Sequence, residues 1–157
     1  MRTGLLLPAA LTAVALSAGT ALAEIGSTTT INGSPAPGAM APLAAKEVLL
    51  DSVQHDGNRL LVVQGVRAPG TRSPIQYHGF AGRTCVLTGT ITHVVEGKQP
   101  ASYPAGACYE LPIGVAMTTA NLGTQDVTLI DTFVAPADAP AIIVVEPGWP
   151  DLTDPVG

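Results

Sequence analysis

The sequence predicts a single all-β domain, a small barrel or double-sheet jelly roll, on three observations. Gly 17 and Pro 14 combine with only 12% charged residues, which disfavours coiled coils and helix bundles and leaves turn-rich β architecture. Apolar residues come in short, often alternating runs punctuated by glycine and proline, and no helix-period stretch follows the first two dozen residues. At 157 residues with 46% hydrophobic content, there is material for one core and not for several.

Residues 1–23 have the pattern of a secretory signal. Arg2 gives the positive start, Leu5 to Ala18 the apolar stretch, and Ala21-Leu22-Ala23 an A-x-A cleavage site before Glu24. The absence of charge from Thr3 to Ala23 also admits an uncleaved membrane anchor. Alanine dominance, with Gly19 and Thr20 near the end, suits cleavage better than stable anchoring. No cysteine lies near the site to carry a lipid. The expected product is secreted or periplasmic, without membrane attachment after cleavage. Lys+Arg 7 against Asp+Glu 12 argues against a nucleic-acid partner.

Residues 24–45 are rich in Gly, Pro, Ser, Thr and Ala and read as a flexible lead-in, because few large apolar groups offset the entropy of ordering them. The β domain is expected over 46–146. Strand signals run through Val48–Leu50, Leu60–Val66, Ile75–Phe80, Cys85–Val95, Cys108–Ile113, Val115–Thr118, Val127–Val134 and Ile142–Val145. Glu96-Gly97-Lys98 is an expected hairpin tip and Asn121-Leu122-Gly123 a turn. Residues 147–157 read as an irregular tail, with Trp149 expected to fold back over the domain.

Two spacings then carry a resemblance. Gly70, five residues, Gln76-Tyr77-His78, three residues, Gly82, six residues, Gly89 follows the first cupin motif, in which His-x-His precedes a Glu and then a Gly. Gly106, five residues, Pro112-x-Gly114, two residues, Met117, three residues, Asn121 follows the second without a gap. Over about Gly65 to Val145 the chain resembles a cupin, which implies a jelly-roll β-barrel. The punctuation has a mechanical reason as well. Gly89, Gly106 and Gly114 fall where strands end or bend, and Pro112 blocks ladder pairing.

In metal-binding cupins two His and a Glu of the first motif join a His of the second around one ion. The resemblance maps these onto Gln76, His78, Gly82 and Met117, of which only His78 is an ordinary ligand. A divalent centre usually needs about three strong N or O donors, so the usual metal chemistry is not expected. His78 with Met117 leaves copper(I) as a soft-ion alternative. Strand alternation and the resemblance together turn Gln76, His78, Phe80, Met117 and Thr119 to the interior, as the lining of a small-ligand pocket or as plain core.

The leading expectation is therefore non-catalytic binding of a small organic ligand. The alternatives are an enzyme, through an atypical Gln/His/Met metal set or metal-free His78, and a structural barrel with a filled interior. Glu110 is the nearest carboxylate to His78 in the second motif, but a solvated place on its strand is expected. Family topology makes the strands of Cys85 and Cys108 neighbours, so a disulfide is expected, with two buried thiols as the alternative. His55 is expected in a loop and His93 on a strand surface. The resemblance also implies a homodimer through apolar sheet faces.

Overall fold

The computed structural model describes residues 26–149. The signal pattern at 1–23 and the end of the tail, 150–157, lie outside the described residues.

Among the described residues there are fourteen strands and no helix. One five-stranded antiparallel sheet is formed by β4 (Ala45–Val53), β5 (Asn58–Arg67), β8 (Gly82–Thr88), β11 (Cys108–Leu111) and β13 (Val127–Pro136), in the order β11-β8-β13-β5-β4. The second sheet runs β10 (Ala101–Pro104), β9 (Thr90–Val95), β12 (Met117–Ala120), β6 (Thr71–Arg72), β3 (Ala39–Met40). The short β7 (Gln76–Tyr77) joins it by pairing with β12 and with β14 (Ile143–Val144). β1 (Thr30–Ile31) and β2 (Ser34–Pro35) make a separate small hairpin.

Alternation along β5 and β13 builds the barrel interior. Leu61 and Val63 of β5 and Val127, Leu129 and Phe133 of β13 are buried and pack with Val86, Leu111 and Met117 from other strands. A second, smaller cluster of Ile31, Ile75, Val94, Ala116 and Val145 lies beneath the N-terminal segment.

Two expectations about the strands are corrected. The run Cys85–Val95 is not one strand. It breaks at Gly89, which adopts φ 74°, and the chain passes from β8 in one sheet to β9 in the other. A Cβ on Gly89 would come within 2.8 Å of Val127 Cγ2, so the crossing is sterically reserved for glycine. Residues 24–45 are not a flexible lead-in where described. From residue 26 onward they contribute β1, β2, β3 and the first residue of β4. Buried Ile31 anchors this stretch in the smaller cluster, and backbone and side-chain polar groups order the rest. Asn32 Nδ2 donates to the Val95 and Lys98 carbonyls while its Oδ1 accepts from Gly97 N–H, so one side chain clamps the Glu96-Gly97-Lys98 tip. β3 pairs in parallel with β6, and Arg67 Nη1 donates to Ala41 O at 2.6 Å. Composition counts apolar side chains and does not see these bonds.

Cys85 and Cys108 stand opposite each other on β8 and β11 and form a disulfide. The Asn121 turn is as expected, with Gly123 N–H donating to Asn121 Oδ1 at 3.0 Å.

Candidate functional site

A cavity of about 220 Å³ occupies the barrel interior. At a liquid-like volume of ~30 Å³ each, that holds about seven water molecules. One wall comes from the motif residues Gln76, His78, Met117 and Thr119. The facing wall comes from Thr84, Leu111, Leu129, Asp131 and Phe133, with Arg67 and Lys46 on the β5–β4 side and Trp149 from the C-terminal segment. Side chains therefore do not fill the interior completely.

Four of the five expected interior residues are therefore brought together. Phe80 is not. β7 ends at Tyr77, the chain bends through Gly79, and Phe80 is left 38% exposed. Alternation holds only while the strand lasts, which is why counting from Gln76 misplaces Phe80.

His78 is wholly buried. Its Nδ1 lies 3.0 Å from Ala141 O, and a carbonyl only accepts, so Nδ1 carries the proton in that bond. In the neutral ring Nε2 is then the lone-pair nitrogen, with Gln76 Nε2 3.4 Å away. Phe133 stacks on the ring at 5.6 Å between centroids. His93, expected on a surface, is buried instead. Its Nε2 lies 3.5 Å from Met117 Sδ, and its ring packs against Tyr109 at 4.5 Å. Burial first, then the charges of His78 and Lys98, push its pKa down to about 4. Glu110 is exposed and paired with Arg83, as expected of a strand-surface carboxylate. His55 lies in an exposed turn.

The residues that sequence reasoning missed are Asp131 and Arg67. Asp131 is half-buried and faces the cavity, and Thr84 Oγ1 donates to its Oδ1 at 2.5 Å. Burial raises its pKa to about 6, against the opposing Thr84 hydrogen bond and the Arg67 charge. Arg67 is 5% exposed, and burial lowers its pKa to about 10 despite Asp131. Its Nε–H has no acceptor among the described residues. A signal for both was present: Asp131 has the parity of Leu129 and Phe133, and Arg67 the parity of Leu61 and Val63.

The donor set does not fit the metal of the metal-binding cupins. At Gly82, the position of the motif Glu, an added Cβ would lie 2.9 Å from Leu111 Cδ1 and 3.0 Å from Phe133 Cδ1. The space a carboxylate would need is occupied by hydrocarbon. Among the described residues no three His, Cys, Asp or Glu side chains converge. For a soft ion, the nitrogen in contact with Met117 sulfur is that of His93.

The two facing sheets and the enclosed interior define a double-stranded β-helix barrel, the cupin fold. No family model matches the chain, and no curated protein matches it. Solved structures do. A protein with a double-stranded β-helix domain from Klebsiella pneumoniae is similar over 68% of this chain and 90% of its own, with TM-score 0.52 and 19% identity. An RmlC-like cupin family protein from Methanocaldococcus jannaschii is similar over 66% and 93%, with TM-score 0.51 and 16% identity. The DMSP lyase DddQ from Ruegeria pomeroyi is similar over 64% of this chain and 50% of its own, with TM-score 0.52 and 16% identity. At these identities the likeness is one of fold, and chemistry rests on the site.

Proposed function

We propose that this chain is an exported cupin-fold protein that binds a small organic molecule in its barrel without the metal chemistry common on that fold. The observation that carries the reading is the cavity itself: a partly open space inside the barrel, lined about equally by apolar and polar groups from several strands. Export rests on the signal pattern of residues 1–23 and agrees with the Cys85–Cys108 disulfide, which persists in oxidising compartments. The homodimer implied by the resemblance would use the exposed Val48, Leu49, Leu50 and Val53 of edge strand β4, and sedimentation equilibrium decides it.

One observation favours a second reading. Asp131 shares the cavity with His78, so a carboxyl group and an imidazole face one small volume, as proton transfer without a metal requires. Native mass spectrometry of protein from its natural host tests both readings. A molecule retained by the parent and lost from Thr119→Phe, which fills the cavity, supports binding. Release of that molecule chemically altered supports catalysis. Elemental analysis of the same sample addresses the metal alternatives. Near one metal per chain, lost in His78→Ala, would replace both readings with a metalloenzyme.

A further inference from the structure

We infer that the ligand is a small hydroxycarboxylic acid, its carboxylate directed to Arg67 and Lys46 and its hydroxyl to Asp131. This rests on the ligand-binding reading of the cavity and adds the chemical class.

Two opposite charges line one cavity without pairing. The ion pairs among the described residues are Arg59–Asp51, Arg72–Glu146 and Arg83–Glu110, and Arg67–Asp131 is not one of them. β-Sheet register explains the separation. Arg67 lies opposite Val127 and Asp131 opposite Val63, so the two are four residues apart, about 13 Å between their Cα atoms along the strand. Arg67 is buried and Asp131 half-buried, and neither charge has an ion-pair partner, an arrangement that a bridging third group would relieve. Arg67 Nη1 is used by Ala41 O, while its Nε–H lacks an acceptor. Asp131 Oδ1 is used by Thr84, and no described side chain bonds its Oδ2. A bridging molecule must therefore present an acceptor at one end and a donor at the other.

Charge selects among such molecules. Arg67 and Lys46 against Asp131 leave one surplus positive charge in the lining, which a monoanion cancels. The donor facing Asp131 is then neutral, a hydroxyl. On β13, Leu129 lies between Asp131 and the position opposite Arg67, and with Leu111, Met117 and Phe133 also in the lining the cavity suits a short hydrocarbon. The volume of about seven waters limits it to about four to eight carbons.

Calorimetry on the purified protein tests this with three probes: 2-hydroxyisocaproate, 6-hydroxyhexanoate and 4-hydroxyphenylacetate. Each is compared with its deoxy acid and with its hydroxyamide. At least one hydroxy acid is expected to bind tenfold or more tightly than both of its comparators. Asp131→Asn should shrink the preference over the deoxy acid, and Arg67→Gln the preference over the amide. The probe comparison needs only the parent chain, so it stands even if Arg67→Gln fails to fold. Amides or deoxy acids that bind as well as the hydroxy acids would overturn the class and leave the pocket reading intact. No binding by any probe, beside a retained molecule of another class in native mass spectrometry, would do the same. No probe bound and no molecule retained would overturn both.

Discussion

Arg67 and Asp131 enter one cavity from adjacent strands, β5 and β13, without meeting in an ion pair. Arg67 is buried and Asp131 half-buried, and each is shifted toward its neutral form, Arg67 to about 10 and Asp131 to about 6. Opposite charges in contact would shift the other way, each stabilising the ionised form of its partner. The interior therefore carries an electrostatic cost at neutral pH that a structural ion pair would not.

The first prediction follows from that cost. Asp131 has its pKa raised from an unfolded value near 3.9, so the folded chain binds the proton more tightly than the unfolded chain. Its contribution favours the fold below about pH 4 and is lost as pH rises through about 6. The Asp131→Asn variant should be more stable than the parent at pH 7, by on the order of 1–3 kcal/mol, and should lose that advantage near pH 4. Urea denaturation of both chains across pH 4–8 measures it. A difference between them that does not change with pH would show that Asp131 is solvated.

How much of this was legible beforehand varies with the kind of signal. Gly70, Gly89, Gly106 and Gly114 all adopt positive φ, so the punctuation that suggested the fold marks real backbone constraints. Gln76, His78, Met117 and Thr119 reach the cavity because each lies on or beside a paired strand whose alternation holds. His93 was placed outside because a polar residue on a strand is ordinarily solvated. Here, Tyr103, Tyr109 and Met117 cover it. Asp131 and Arg67 share the inward parity of their strands, but neither falls on a motif position. The ordering of residues 26–45 depends on hydrogen bonds such as those of Asn32, which join residues more than sixty positions apart. No local window holds both ends of such a bond.

A second prediction concerns the missing ligand positions. Gly82→Glu should not restore a metal site, because its Cβ meets Leu111 and Phe133 before the carboxylate is placed. Even Gly82→Ala should cost about 1–3 kcal/mol through overpacking. Gln76→His with Met117→His is a different case. Both positions line the cavity beside His78 and are cross-strand partners, so the double variant gathers three imidazoles. It should take up cobalt(II), giving a visible absorption spectrum, where the parent gives none. Cobalt uptake by Gly82→Glu alone would contradict the steric argument.

The disulfide supplies a third. Cys85 and Cys108 are 23 residues apart, and cross-linking a loop of that length stabilises by about 3 kcal/mol in the chain-entropy account. Cys85→Ser with Cys108→Ser should lower the urea midpoint accordingly, and a thiol reagent should find no free cysteine in the unreduced parent. β11 is an edge strand held on one side only, by β8. Hydrogen exchange in the double variant should therefore quicken first at Cys108–Leu111 positions and at their β8 partners.

The last prediction links the cavity to its C-terminal cover. Glu146 accepts from Arg72 Nη1 at 2.5 Å, from Arg72 Nη2 at 2.6 Å and from Ile75 N–H at 2.8 Å. Burial works against the charged carboxylate, but these bonds and the Arg72 charge prevail and hold its pKa below the usual value. Three residues on, Trp149 lines the cavity, so the ion pair fixes the segment that carries this wall. Arg72→Met leaves Glu146 buried without its cation, a loss of about 3–5 kcal/mol for a pair of this burial. Because the chain has a single tryptophan, its fluorescence reports this segment alone. In the variant, Trp149 emission should shift to longer wavelength at temperatures where far-ultraviolet circular dichroism still shows intact sheets. In the parent the same shift should appear as pH falls from about 4.5 on through the lower folded pKa of Glu146, where its contribution to the fold is lost. Emission that moves only with the loss of the sheets would mean that Trp149 is held by the barrel and not by Glu146.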